Sequence, residues 1–119
     1  MTIKVDTRYT PADKMARTME QKKEFKEIYT DNDLLRMFSE ATGETFGFVE
    51  ETHYCRLSAF PGGTMETDET HYSVDMMIEA WKVIYKIHFY ISQSGEVDTR
   101  RVWAGDHYMP MWQVTKYTA

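Results

Sequence analysis

His71-Tyr72-Ser73-Val74-Asp75-Met76-Met77-Ile78-Glu79-Ala80-Trp81-Lys82-Val83-Ile84-Tyr85-Lys86-Ile87-His88-Phe89-Tyr90-Ile91-Ser92 can be read with either of two periods, and the choice decides the fold. A helical period gathers Val74, Met77, Ile78, Trp81, Ile84, Tyr85 and His88 on one side, with Asp75, Glu79, Lys82 and Lys86 opposite. A period of two instead aligns Val74, Met76, Ile78 and Ala80, then Val83, Tyr85, Ile87, Phe89 and Ile91. Residues 82–92 are rich in β-branched and aromatic side chains and run into Ser92-Gln93-Ser94-Gly95, a hairpin-like turn. Strand is therefore the favoured reading for 82–92. It is also favoured for 71–80, where the helical alternative stays open.

Upstream the pattern is helical. Thr10-Pro11-Ala12-Asp13 combines a cap, a proline at the first helical position and an acid able to reach back to the cap amide. Ala12, Met15, Met19, Phe25 and Tyr29 then share one side of a helix over about 11–28. A second start follows in Thr30-Asp31-Asn32-Asp33, with Tyr29 and Leu34 placed to staple it. Leu34, Leu35, Phe38 and Ala41 form its apolar stripe, and Gly43 ends it in a left-handed turn.

Beyond Gly43 the character is β. Phe46, Phe48, Tyr54, Cys55, Leu57 and Phe60 mark a strand over about 45–60, broken near Glu50-Glu51 and ended by Pro61-Gly62-Gly63. A polar loop then reaches Thr70, and further strands are expected over 96–103 and 111–117. A short strand or ordered arm is expected at Ile3–Asp6. The simplest architecture is α+β: two N-terminal helices packed on an antiparallel sheet of about four to five strands. It is a single domain over 1–119, with 1–43 mainly helical and 45–117 mainly sheet.

Composition narrows the classes further. A 14% aromatic content and a net charge of −5 do not describe a disordered chain, and Gly, Pro and Cys are too few for fibrous or disulfide scaffolds. Cys55 stands alone, and no apolar run at the N-terminus resembles a signal peptide. Val83–Ile91, interrupted by Lys86 and His88, is too short to cross a bilayer. A cytoplasmic protein with no membrane association is expected.

Charge is segregated. Asp31, Asp33, Glu40, Glu44, Glu50, Glu51, Glu66, Asp68, Glu69, Asp75 and Glu79 face only Arg36 and Arg56 within 31–79, while each flank is mildly basic. Direct nucleic-acid binding, which needs clustered Lys and Arg, is disfavoured, and a basic protein partner is favoured.

Catalytic signals are thin. Glu50-Glu51-Thr52-His53-Tyr54 recurs as Asp68-Glu69-Thr70-His71-Tyr72, with an echo at Asp106-His107-Tyr108. Imidazoles converging beside carboxylates would suit acid–base work or a metal, but His53-x-Cys55 is not a zinc spacing. No nucleophile elbow or phosphate-cradling glycine loop occurs, and neither metal nor cofactor is expected. Arg100-Arg101 could place one guanidinium on a phosphate while Trp103, with Tyr85 or Tyr90 on a neighbouring strand, stacks on a base.

Two function classes follow. The leading expectation is a small acidic non-enzymatic interaction protein, an inhibitor of the anti-defence or immunity type that occupies a basic nucleic-acid-binding surface. Its contact residues would be Glu50, Glu51, Glu66, Asp68, Glu69, Trp103, Met109 and Trp112, the last three as anchors; the same aromatic and Met-rich region would serve any homo-oligomer. The alternative is a small-ligand or nucleotide pocket, enzymatic or not, using His53, His71, Tyr85, Arg100 and Arg101 with nearby carboxylates, and with Asp75 or His88 as further polar groups.

Overall fold

A computed structural model describes residues 11–60 and 69–118. The expected Ile3–Asp6 strand, the Thr10 cap and the 61–68 loop with Glu66 and Asp68 lie outside these, as do the side chains of Ala12 and Met15. The elements are α1 (Pro11–Ile28), α2 (Asp31–Thr42), β1 (Val49–Phe60), β2 (His71–Ala80), β3 (Val83–Ser92), β4 (Arg101–Ala104), β5 (His107–Pro110) and β6 (Gln113–Thr118). β1, β2, β3 and β6 form one antiparallel sheet in the order β1-β2-β3-β6, and β4 and β5 form a separate two-stranded ribbon. The α+β class and the helices-then-sheet order stand as expected.

Both readings of 71–92 as strand hold. Trp81 and Lys82 make a two-residue turn with φ of 55° and 63°, so Ala80 pairs with Val83 and the register zips to His71 opposite Ser92. That turn inverts the alternation: even residues of β2 (Tyr72, Val74, Met76, Ile78, Ala80) and odd residues of β3 (Ile87, Phe89, Ile91) are buried on one face. Left-handed φ at two side-chain-bearing residues costs about 1–2 kcal/mol each, where Asn-Gly would cost little. The Glu50 carboxylate accepts the Lys82 amide at 3.1 Å and helps hold the turn.

The helices cover that face. α2 is closed at both ends as its sequence dictates: Asp33 N donates to Thr30 Oγ1 at 3.1 Å, Thr30 N donates to Asp33 Oδ2 at 3.0 Å, and Gly43 adopts φ 81°. Its Leu34, Leu35 and Phe38 are buried. Phe38 is the hub of an aromatic cluster, 4.8 Å from Phe89, 6.4 Å from Phe46 and edge-on to Trp112 at 5.7 Å. On α1, Phe25 stacks on Tyr72 at 4.1 Å, whereas Met19 is exposed. Ala41 and Phe48, expected in apolar stripes, are also exposed; Phe48 precedes β1, which starts at Val49 and not near 45.

One strand departs from expectation. Instead of a continuous strand over 96–103, Val97 makes an isolated bridge to Ile91, and the chain then leaves the sheet. The Asp98 carboxylate draws the chain into a local turn, accepting Arg100 N at 3.0 Å and the Arg100 guanidinium at 2.8–3.2 Å. The free edge of β3 is thus shared, residues 96–98 lying along its end and β6 along its start. The β4–β5 hairpin emerges between them, closed at its base by Met111 N to Arg100 O at 2.9 Å.

Truncating the hub should test this core directly. Phe38→Ala is expected to lower unfolding free energy by about 3–5 kcal/mol in urea titration. Thr30→Ala, which removes only the cap, should cost about 1 kcal/mol.

Candidate functional site

The histidines do not converge. His53 sits in the bulged start of β1, its Nδ1 3.1 Å from Glu51 and its Nε2 3.2 Å from Glu79. His71 opens β2 at the other end of the sheet, with Nδ1 3.0 Å from the Glu69 carbonyl. Eight residue steps along β2 separate the Glu79 and His71 levels, roughly 27 Å at about 3.4 Å per residue. His107 lies near the hairpin tip, 2.8 Å from Asp106. The near-repeat therefore gives three separate imidazole–acceptor pairs. No group of three or more His, Cys, Asp or Glu among the described residues is arranged to hold a metal ion.

The nucleotide arrangement is likewise not assembled. Tyr85 faces the helices and meets Phe46 edge-on at 5.0 Å. Arg100 is committed to Asp98, while Arg101 sits on the hairpin and points an Nη2 donor at the Tyr108 carbonyl, 3.4 Å away. Trp103 pairs across the hairpin with Tyr108 and not with a tyrosine of the main sheet.

The acidic segment is divided in the same way. Glu50 and Glu51 lie at the end of the sheet marked by the Trp81-Lys82 turn, and Glu69 at the opposite end, where it accepts Ser94 N at 2.9 Å. The Ser94 hydrogen bonds hold the Glu69 carboxyl below its ordinary range, as the Arg100 guanidinium does for Asp98 and the Thr30 amide for Asp33. These acids complete turns and caps. Their arrangement is structural before it is electrostatic.

Three surfaces remain. The first is the hairpin. Trp103 and Tyr108 are each 60% exposed, with rings 4.9 Å apart and edge-on, and Val102 beside them is exposed. Gly105, at φ 71°, opens its two-residue loop, the position where this turn favours glycine. Of the other expected anchors, Met109 is half-buried opposite Val102, and Trp112 packs on Phe38 at the hairpin's root.

The second surface is the sheet face away from the helices. A shallow depression of about 440 Å³ there is lined by Tyr54, Lys86, Gln113, Thr115 and Tyr117 around a cross-strand pair, His88 Nδ1 to Asp75 Oδ1 at 2.8 Å. The pair follows from the 81–82 turn, which sets residue 75 opposite 88.

The third is a groove of about 310 Å³ between α1 and β1, lined by Lys22, Lys23, Lys26, Cys55, Arg56 and Leu57. Nothing in the sequence flags it, since its cations come from segments 30 residues apart. Burial, with Asp31 nearby, pushes the Cys55 thiol up to about 12, so the groove holds no thiolate at neutral pH.

Comparison with protein-family models, with curated proteins and with solved structures gave no match.

Two measurements follow from these ionisations. Iodoacetamide should label Cys55 in the folded chain at least about tenfold more slowly than a free thiol at pH 7.5, and at the ordinary rate in denaturant. The lowered carboxyls of Asp33, Glu69 and Asp98 add stability that is complete above about pH 4–5 and is lost as pH falls through their folded values. Asp98→Asn should therefore flatten the acid limb of a melting-temperature-versus-pH curve.

Proposed function

We propose that this chain acts by binding another protein through the β4–β5 hairpin, and not by catalysis. The observation that supports this reading is the Trp103–Tyr108 pair held in solvent on a ribbon outside the main sheet. A two-stranded ribbon is marginal by itself, and large aromatics left exposed on one are costly unless something covers them. Trp and Tyr are also the residues that most often dominate binding energy. Trp112, half-buried and braced on Phe38, roots the hairpin.

The net charge of −5 favours a basic partner. An inhibitor seated on a basic, phosphate-binding groove is the specific form of this reading. Net charge supports it, while the separation of Glu50 and Glu51 from Glu69 gives no support to a phosphate-like row of acids. Steering should then affect association rate more than residence time.

A second reading attaches to the sheet-face depression. The Asp75–His88 pair with Lys86, Gln113 and Thr115 offers polar contacts suited to a small organic ligand. A thermal-shift panel of nucleotides, sugars and organic acids examines it: a rise abolished by His88→Ala supports a ligand, and no rise across the panel removes it.

The hairpin is tested by Trp103→Ala/Tyr108→Ala. Both side chains are exposed and lie off the core, so the variant should keep its melting temperature. Its affinity for a partner captured by the wild-type chain should drop at least about thirtyfold, as loss of a hot spot implies. Undiminished capture by the double variant overturns the proposal.

A further inference from the structure

The regular half of the β1 edge lies beside the four-cation groove. Among the described residues β2 is the one strand partner of β1, and no other described strand lies along the opposite side of β1. Such an edge is a template for another extended chain, and bulges are a common way to spoil it. In β1 the register shifts fall between Val49 and Glu51 and between Thr52 and Tyr54. From Tyr54 to Phe60 every residue pairs in sequence with β2, without a shift. The unspoiled edge is therefore confined to this stretch.

The direction of its free groups can be read from one contact. Lys26 Nζ donates to the Cys55 carbonyl at 3.4 Å from the side of α1, which marks Cys55 as a residue whose backbone faces outward. Along an antiparallel strand the outward residues alternate, so Leu57 and Ala59 also present their N–H and C=O groups to the edge. Their side chains stay on the helix side of the sheet, with Cys55, Leu57 and Ala59 all packed in or against the core.

The charge around this edge is unlike that of the chain as a whole. Lys22, Lys23 and Lys26 come from two turns of α1, whereas the Arg56 side chain projects from β1 to the face away from the helices, where it stacks on the Tyr54 ring at 4.3 Å. No ion pair engages any of the four among the described residues. Asp31 approaches the Cys55 thiol, and Glu20, Glu24 and Glu27 alternate with the lysines along α1, but among the described residues no acid lines the groove itself. Screening limits each charge to about 8–10 Å, so a segment seated on this edge responds most strongly to the nearby lysines.

We infer that the β1 edge from Tyr54 to Phe60 accepts an extended acidic peptide as an added strand. Main-chain hydrogen bonds to Cys55, Leu57 and Ala59 would supply the pairing, and Lys22, Lys23 and Lys26 the preference for Asp and Glu on the helix side. The site is independent of the hairpin. It gives the chain a second contact surface, with charge preference opposite to that of the first.

The probe is a short, end-blocked, fluorescein-labelled peptide of alternating Glu and Val, followed by fluorescence anisotropy at low salt against the full chain. Binding is expected for this peptide and not for its Lys-Val counterpart. Lys22→Glu/Lys26→Glu should weaken binding about tenfold, the loss of two attractive contacts and the gain of two repulsive ones. Ala59→Pro removes an outward N–H without touching a β1–β2 bond, and should abolish binding while the circular-dichroism melt stays native. A probe N-methylated at alternate residues gives the same readout without altering the protein. Trp103→Ala should bind the probe as the wild type does. Equal binding of the N-methylated and unmodified probes, or of the Glu-Val and Lys-Val probes, overturns the inference.

Discussion

The turn at Trp81 and Lys82 sets the relation between β2 and β3 on which most of the architecture depends. With no spare residue in it, the alternation of one strand is mirrored onto the next, and ten pairs follow from Ala80 and Val83. A one-residue slip would move every apolar side chain of β3 to the open face. Both turn residues carry side chains in left-handed φ, so the register is maintained against local strain. The restoring force is burial: Val74, Met76, Ile78, Phe89 and Ile91 enter the core together or not at all. Trp81 itself is 70% exposed, with its indole laid over Gly47, where a Cβ would collide with Nε1. The glycine is thus required by the turn's neighbour as much as by its own φ of 71°.

The same register explains which polar residues meet. Asp75 faces His88 because both are counted from the turn, and Glu79 reaches His53 across a bulge that advances β1 by one residue. Asp33, Glu50 and Glu69 accept amides at a cap and at turns. A sequence segment with nine excess negative charges therefore need not yield an acidic face. Alternation, bulges and caps distribute its members to different ends and both sides of the sheet.

Legibility followed from how local each signal is. The capping box at Thr30 and Asp33 and the terminator at Gly43 depend on four adjacent residues, and both were readable. The core faces of β2 and β3 were readable from period two alone. What the sequence left ambiguous, strand against helix for 71–80, depended on pairing with β1 and β3, which no local window contains. The fate of 96–103 was hidden for a related reason. Its apolar residues suit a strand, but the edge they would join is already shared with β6, and Asp98 turns the chain away. The expected contact residues are set apart by topology. Trp103, Met109 and Trp112 are close in sequence, yet one is in solvent, one half-buried and one against Phe38. Composition names candidates for contact, and only topology separates an anchor from a brace.

The placement of the two proposed contact surfaces has a mechanical logic. The β1 edge is tied to the core through Leu57, near Phe25 and Tyr72, and through its register with β2, so a strand added there would meet a preformed template. The hairpin is joined to that body through Asp98 and Arg100 at one root and Trp112 at the other. Its tip stands outside the core register. A preformed edge favours backbone recognition, which tolerates variation in sequence. An exposed aromatic tip favours fitting to a particular cleft. The fold keeps the two apart by letting the edge of β3 divide between residues 96–98 and β6, which leaves the intervening chain no place in the sheet and sends it outward.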